Sequence, residues 1–222
     1  MNNFFIEGPI QRGKSTLIRE VLKKFYGPEL DGSTGIACGR GVGGFTVQRM
    51  RFPTQGADKR FGFRLMEASA PISAHTCVVT TVESLLDSDG VFKVVGSFGG
   101  RTNMNVFDTK AVALMQQAYD DAKAGRISIV LLDEIGGHEL SCQVFCRKLY
   151  ELLDSEIPCI GVIKYPDSAR RMDPSIAEAN KALHKKITGP SGEHGEILYF
   201  DNPETSGEAV RLAMENFIAR FI

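Results

Sequence analysis

The strongest constraint on this chain is a short pattern near its beginning, G-x-x-x-x-G-K-S, which occupies residues 8–15. An apolar run at residues 4–7 precedes the pattern, and apolar residues at helical spacing follow it at residues 16–25. A strand, a glycine-containing turn and a helix in this order direct backbone N–H groups and the positive end of the helix toward one point. The pattern therefore predicts a phosphate-binding loop at the start of an α/β fold.

Each fixed position of this loop has a chemical reason. Gly8 and Gly13 can adopt backbone angles that other residues avoid, and they leave room for the backbone to wrap phosphate oxygens. Lys14 can reach the β- and γ-phosphate oxygens, and the Ser15 hydroxyl can ligate Mg²⁺. We therefore predict a site for a nucleoside triphosphate that is formed by Gly8, Pro9, Ile10, Gln11, Arg12, Gly13, Lys14, Ser15 and Thr16.

A second feature supplies what hydrolysis needs besides phosphate binding. Residues 127–132 form a continuous apolar run, typical of a strand buried on both faces, and Asp133 and Glu134 follow it directly. Ligands of open α/β sheets bind at the carboxyl ends of the strands. We therefore predict that Asp133 and Ser15 hold Mg²⁺, and that Glu134 acts with Lys14 in catalysis by orienting and deprotonating a water. The alternative is an acidic strand end with two solvated carboxylates.

Strand and helix patterns alternate along the rest of the chain. Helices are predicted at residues 108–124, 140–153, 178–187 and 207–222, and strands at 127–132, 158–164 and 197–200. Residues 31–100 are rich in glycine and contain short apolar segments at 44–50, 61–66, 76–82 and 91–95. This order predicts a three-layer P-loop NTPase fold whose mostly parallel central sheet carries an inserted, partly antiparallel β segment. We expect residues 1–222 to form a single domain that includes this insertion.

Composition narrows the classes of protein further. The 26 Lys and Arg residues balance the 27 Asp and Glu residues, so nucleic-acid binding is not indicated. The first residues lack the basic start and apolar length of a secretory signal, and no apolar run could span a bilayer, so we expect a cytoplasmic protein without a membrane partner. Reduced thiols are predicted for the five scattered cysteines, which are Cys38, Cys77, Cys142, Cys146 and Cys159.

Five stretches of this sequence resemble the THEP1-type nucleoside-triphosphatase family. They are residues 8–17, 44–51, 59–63, 95–96 and 133–140, of which the last, Asp-Glu-Ile-Gly-Gly-His-Glu-Leu, is the most specific. The resemblance implies a P-loop fold of the glutamate-using branch that hydrolyses several nucleoside triphosphates with loose base selectivity. The chain departs from the family pattern at Gln11, Arg12, Val47, Gln48, Arg49 and His138, and none of these departures removes a residue assigned to phosphate, metal or water chemistry.

Other polar residues are weaker candidates. Arg51 and Arg60 match family positions and could contact phosphate, although a structural ion pair or a solvated side chain is the default expectation. Arg170 and Arg171 lie in a polar stretch that could close over a nucleotide or form a plain surface loop. Structural or solvated roles, rather than metal ligation, are expected for His138, Cys142 and Cys146, and Glu139 is expected to steady the turn after Glu134.

Three functions are compatible with these motifs. Mg²⁺-dependent hydrolysis of ATP, GTP and other nucleoside triphosphates is favoured, because a carboxylate directly after Asp133 suits water activation. The first alternative is a nucleotide or small-molecule kinase that uses the same loop with an acceptor hydroxyl in place of water. The second is a nucleotide-dependent switch or adaptor with an unidentified protein partner, an interpretation suggested by the glycine-rich segment at residues 31–100.

Overall fold

The computed structural model describes residues 1–27, 41–51, 61–69, 89–96, 99–169, 171–190 and 194–222. Within these ranges the strands form one eight-stranded sheet. They are β1 (Asn3–Glu7), β2 (Gly41–Arg51), β3 (Phe61–Glu67), β4 (Val91–Gly96), β5 (Gly99–Thr102), β6 (Ile127–Ile135), β7 (Cys159–Ile163) and β8 (Gly195–Tyr199). Their order across the sheet is β5-β4-β3-β2-β6-β7-β1-β8.

The α-helices of the described ranges are α1 (Lys14–Tyr26), α2 (Val112–Lys123), α3 (Gln143–Leu153), α4 (Pro166–Ala169), α5 (Pro174–Thr188) and α6 (Glu208–Ile218). Shorter turns precede three of them, at Phe107–Ala111, His138–Ser141 and Pro203–Gly207. Helix α5 begins earlier than predicted, because Asp173 accepts a hydrogen bond from the Ser175 backbone N–H at 2.8 Å and Pro174 occupies the first turn. β5 and α4 were not predicted, and the strand predicted at 76–82 lies outside the described residues.

The sheet is mostly parallel, and helices cover both of its faces, which confirms the predicted three-layer α/β class. β2, β6, β7, β1 and β8 run parallel to one another, whereas β3, β4 and β5 extend the sheet from β2 with antiparallel pairings. Along β6, Val130 and Leu132 pack in the same apolar cluster as α2 and α3, and Ile129 and Leu131 pack in the cluster that contains α1 and α6. The run is continuously apolar because both faces of the strand are covered.

The segment predicted as an insertion contributes to the centre of the sheet. β2 pairs in parallel with β6, in a register that sets Phe45 beside Leu132 and Thr46 beside Asp133. Phe45 is fully buried, and its ring lies 6.1 Å from the ring of Phe145 on α3. The segment between residues 31 and 100 therefore supplies a core strand that borders the acidic motif, and its antiparallel strands continue outward from it.

Strand order brings the two motifs together. β7 lies between β1, which leads into the glycine-containing loop, and β6, which ends in the acidic pair. The carboxyl ends of these three parallel strands lie side by side at one edge of the sheet, where ligands of open α/β sheets bind. No helix in the described ranges is long and apolar enough to cross a membrane.

Candidate active site

The loop after β1 wraps closely around its own backbone. Gly8 has φ 140°, and a Cβ atom at this position would lie 2.0 Å from the Phe200 carbonyl oxygen, so only glycine fits. Gln11 also has a left-handed backbone, with φ 61°, a conformation that is uncommon for residues other than glycine. Gly13 precedes α1 and provides no side chain to cap it. The backbone N–H groups at the amino end of α1 are therefore without a side-chain cap, as at helix ends that bind anions.

Lys14 lies inside this loop. Its side chain is 8% exposed, and its Nζ donates hydrogen bonds to the carbonyl oxygens of Gly8 at 3.0 Å and Pro9 at 2.6 Å. Burial lowers the pKa of Lys14, while the nearby carboxyl of Glu134 opposes this shift. The ammonium group is thus held at the mouth of the loop by weak carbonyl acceptors, which an incoming phosphate oxygen can replace.

Asp133 is almost fully buried, with 1% of its surface exposed. Its Oδ1 accepts a hydrogen bond from the Ser15 hydroxyl at 2.9 Å, and its Oδ2 accepts one from the Thr46 hydroxyl at 3.1 Å. Arg19 donates to the Thr46 hydroxyl at 2.7 Å and lies 4.0 Å from Oδ2. Burial raises the pKa of Asp133 to about 6, although the Arg19 charge and the Ser15 hydrogen bond oppose the shift.

The paired oxygens of Ser15 and Asp133 suit Mg²⁺, a hard cation that prefers oxygen ligands. In the described part of the chain, no group of three or more His, Cys, Asp or Glu side chains is arranged to hold a metal. An ion at Ser15 and Asp133 would therefore take its other ligands from water and phosphate, as Mg²⁺ commonly does in nucleotide sites.

Glu134 points into the same cleft as the loop. Its side chain is 38% exposed, and its Oε1 lies 3.2 Å from the Lys164 Nζ. Lys164 directly follows β7, and its stem passes over Gly137, where a Cβ atom would lie 3.0 Å from the lysine Cε. The cleft has a volume of about 230 Å³, and its walls are formed by Gly8, Ile10, Gln11, Arg12, Gly13, Lys14, Ser15, Thr16, Glu134, Lys164, Tyr165 and Ser168.

The weaker candidates fall elsewhere. Arg51 lies on β2, Arg60 and Arg170 lie outside the described residues, and Arg171 is exposed and lines neither cleft of this region. Glu139 is buried, and its Oε1 accepts a hydrogen bond from the Gly137 backbone N–H at 2.6 Å, so it steadies the turn after Glu134. Cys142 and Cys146 pack in the core, with their thiols directed at backbone carbonyl oxygens.

Three residues at the site were not predicted from the sequence: Arg19, Thr46 and Lys164. Arg19 is four residues after Ser15, and this spacing places both side chains on one face of α1. Lys164 stands at the end of the apolar run at 158–164, just as Asp133 stands at the end of the preceding apolar run. This shared position at a strand end could have identified Lys164 as a site residue from the sequence. Thr46 gave no local signal, because only the pairing of β2 with β6 sets it beside Asp133.

The strand order, the loop between β1 and α1, and the acidic end of β6 together define a P-loop NTPase. A model of an NTPase family matches residues 3–188, so the chain belongs to that family, and it is an NTPase of the THEP1 type. It is 26% identical over 190 residues to the nucleoside-triphosphatase THEP1 of Aquifex aeolicus (strain VF5), an alignment that covers 85% of this chain and 90% of the relative.

The fold also resembles a solved structure of the same type. The crystal structure of THEP1 from the hyperthermophile Aquifex aeolicus superposes with a TM-score of 0.55 and 17% sequence identity, over 99% of this chain and 98% of the other. At this identity the likeness concerns the fold, and it confirms the three-layer class predicted from the order of strands and helices.

Proposed function

We propose that this protein hydrolyses nucleoside triphosphates with Mg²⁺ and with little selectivity for the base. One observation carries the proposal: Ser15 and Asp133 share a 2.9 Å hydrogen bond beside a cleft that also contains the phosphate loop and Glu134. A phosphate-binding terminus, two oxygen donors for a cation and a carboxylate open to water are the groups that phosphoanhydride hydrolysis needs.

The residues would divide the work as follows. The loop amides and Lys14 hold the β- and γ-phosphates, with Lys14 exchanging its bonds to the Gly8 and Pro9 carbonyls for bonds to phosphate oxygens. Ser15 and Asp133 hold Mg²⁺, which when bound neutralises charge on those phosphates. Glu134 orients a water and takes its proton as the water oxygen bonds to the terminal phosphorus. The bond from that phosphorus to the bridging oxygen breaks, and the nucleoside diphosphate leaves with the bridging oxygen.

Lys164 adds a second positive charge to the cleft, near enough to Lys14 to contribute to its lowered pKa. Its 3.2 Å contact with Glu134 fixes that carboxylate while the site holds no terminal phosphate. A bound terminal phosphate would offer the lysine a second anionic partner and leave Glu134 free to accept a proton from water. We propose that Lys164 positions Glu134 and stabilises charge on the terminal phosphate.

Broad base selectivity is supported by the aromatic residues near the loop. Tyr165 lines the cleft, and its ring lies 5.4 Å from that of Tyr199, which is 48% exposed at the end of β8. A base that stacks on a tyrosine ring is held through its π-face, which all bases share, so stacking discriminates little among them.

Phosphate release from ATP, GTP, CTP and UTP, measured with Mg²⁺ and with a chelator, tests this function. We expect release from several nucleotides with Mg²⁺, loss of release in Glu134→Gln with nucleotide affinity retained, and weak nucleotide binding in Lys14→Ala. Glu20→Gln is a matched control, because Glu20 is an exposed carboxylate on α1 that pairs with Arg211 at 2.6 Å.

Each part of the proposal can fail separately. Turnover retained in Glu134→Gln would remove Glu134 from the role of base. Affinity unaltered in Lys14→Ala would contradict the phosphate-loop assignment. Tight binding without release from any nucleotide would overturn hydrolysis as the function.

A second candidate, phosphoryl transfer to a small molecule, is favoured by one observation. A further cleft adjoins Glu134 on the side away from the phosphate loop. In that reaction the acceptor's hydroxyl oxygen would bond to the terminal phosphorus, the bond between that phosphorus and the bridging oxygen would break, and Glu134 would take the hydroxyl proton. Labelled phosphate appearing on an added alcohol, rather than in solution, would identify this reaction.

A further inference from the structure

The further cleft has a volume of about 170 Å³ and meets the phosphate cleft at Glu134 and Lys164, which line both. Its other walls come from the antiparallel end of the sheet, from the segment before α2 and from the turn after β6. They are formed by Val47, Phe63, Phe92, Lys93, Thr102, Met104, Phe107, Gly137, His138, Glu139 and Met172. Neither the sequence motifs nor the proposed hydrolysis assigns a role to this space.

Aromatic rings form one side of the further cleft. The rings of Phe63 and Phe92 are stacked with centroids 6.1 Å apart, and Phe107 meets the Phe92 ring edge-on at 4.8 Å. Phe63 and Phe92 are only partly buried, so apolar ring surface borders the cleft. A planar ring placed against them would bury that surface and extend the aromatic packing already present.

The volume limits the size of an occupant. A cavity of about 150 Å³ lined by apolar side chains accommodates benzene, whereas pockets for drug-sized ligands are about 300 Å³ or larger. The cleft is thus large enough for one six-membered ring and too small to enclose a whole nucleotide. Any larger substituent has to extend over the rim.

Three basic side chains line the further cleft, together with the carboxyl groups of Glu134 and Glu139. Lys93, His138 and Lys164 line it, and the two lysine charges lie near enough to His138 to lower its pKa, after burial as the main cause. Lys164 is engaged with Glu134, whereas Lys93 makes no ion pair among the residues that the structure describes. An anionic group on an occupant would therefore find a cation beside the ring position.

We propose that the further cleft binds a single-ring aromatic or heteroaromatic molecule that carries an anionic group. The ring lies against Phe63 and Phe92, and the anion lies at Lys93 and His138. The occupant is then a neighbour of Glu134, at the boundary with the terminal-phosphate position. Only this last statement rests on the proposed function.

Binding of 4-fluorobenzoate, followed by ¹⁹F NMR, tests the proposal. The 222-residue protein is first saturated with ADP, so that the carboxylate of the probe cannot bind at the phosphate loop. For a probe of this size we expect a Kd on the order of 1 mM. Uncharged 4-fluorobenzyl alcohol should bind more weakly, and cyclohexanecarboxylate, which has the charge without the aromatic ring, should compete poorly.

Two variants separate the contributions of ring and charge. Phe92→Leu keeps an apolar side chain but loses the aromatic face, and Lys93→Met removes the charge while keeping an apolar stem. Each variant should raise the Kd for 4-fluorobenzoate about fivefold or more, because it loses one aromatic or one charged contact with the probe. Phe221→Leu is the matched control. The Phe221 ring packs on the Phe217 ring, with 5.2 Å between the ring centroids, and does not line the further cleft.

The opposite results are also defined. Affinity unchanged in both variants, displacement of the probe by ADP, or no binding at tens of millimolar would overturn the proposal. ADP affinity and phosphate release are measured on the same samples, since they report on folding and on the proposed function. Probe binding without phosphate release would support this binding site and contradict the proposed hydrolysis. Phosphate release without probe binding would support hydrolysis and contradict this binding site.

Discussion

At the scale of single residues, the site depends on how a buried carboxylate keeps its charge. Asp133 is 1% exposed and is held by two hydroxyl donors and a nearby guanidinium. These partners only partly offset the cost of burial, so the pKa of Asp133 rises to about 6. Below this pKa, a cation that binds between Ser15 and Asp133 would have to displace the proton of the Asp133 carboxyl.

The raised pKa of Asp133 leads to a prediction about metal binding. Below pH 6 the carboxyl becomes protonated, so the affinity of the ADP complex for Mg²⁺ should fall, approaching tenfold per pH unit, and it should level off above about pH 7. Titration calorimetry at several pH values between about 5 and 8 measures this. The nucleotide's own phosphate also titrates at about pH 6. Asp133→Asn therefore serves as the reference, because its pH dependence comes from the phosphate and not from residue 133. Identical pH dependence in wild type and Asp133→Asn would contradict the role of Asp133.

Lys164 gives a second prediction at this scale. Lys164→Met removes the charge next to Glu134, and we expect phosphate release to fall by roughly 10- to 100-fold with little change in ADP affinity. Lys164→Arg should restore part of the rate, because arginine keeps the positive charge beside Glu134. Lys24→Met, which breaks an exposed 2.6 Å pair with Glu215, is the control for charge removal. A rate equal to wild type in Lys164→Met would exclude the lysine from the reaction.

At the scale of secondary-structure elements, helix α5 connects the two turns that lie next to Glu134 and Lys164. Asn180 is 1% exposed, and its Nδ2 donates hydrogen bonds to the carbonyl oxygens of Gly136 and Lys164, both at 3.0 Å. These carbonyls belong to the turns after β6 and β7. One amide group therefore holds Glu134 and Lys164 at a fixed separation.

Removing this connection should affect rate more than binding. Asn180→Ala leaves two buried carbonyls without a donor, and we expect the free energy of unfolding to fall by about 1–3 kcal/mol. Phosphate release should fall further than ADP affinity, because the loop that holds ADP is on a different turn. Denaturant unfolding and phosphate-release rates measure the two effects.

Asn202→Ala is the matched control for Asn180→Ala. The Asn202 side chain accepts hydrogen bonds from the backbone N–H groups of Glu204 and Thr205, both at 2.9 Å, away from the site. The Asn202→Ala variant should lose a comparable free energy of unfolding and keep the wild-type rate of phosphate release. A rate loss in Asn180→Ala no greater than in Asn202→Ala would show that Asn180 serves stability alone.

At the scale of the whole molecule, the nucleotide site joins elements from distant parts of the sequence. β1 and α1 carry the loop, β6 carries the acidic pair, and β7 lies between them. A ligand that contacts these elements only in the folded protein stabilises the fold by mass action. We therefore expect nucleotide binding at this site to be coupled to folding.

This coupling can be measured by thermal unfolding. At about 100 times its dissociation constant, ADP should stabilise the wild type by about 2.7 kcal/mol, which corresponds to roughly 5–10 °C in Tm for a chain of this size. Lys14→Ala should show a much smaller shift at the same ADP concentration. A single cooperative transition would support the expected single domain, which stays a prediction. An equal shift in Lys14→Ala would count against the role of Lys14.

The sequence by itself determined the features that depend on neighbours along the chain. The loop at residues 8–15 needs glycines at set positions, and a doubly buried strand needs the apolar run that precedes Asp133, so the order of residues alone predicts both. Helix boundaries were less well predicted, as the earlier start of α5 at Pro174 shows.

Only the tertiary structure decided which side chains meet across strands. Thr46 lies beside Asp133 because β2 pairs with β6 in one particular register, and a pattern within β2 does not reveal that partner. Lys164 reaches Glu134 because β7 separates the two motif strands and Gly137 leaves room for its stem. The further cleft likewise forms where the antiparallel strands meet the turn after β6. Such contacts depend on strand order and packing, which link residues far apart in sequence.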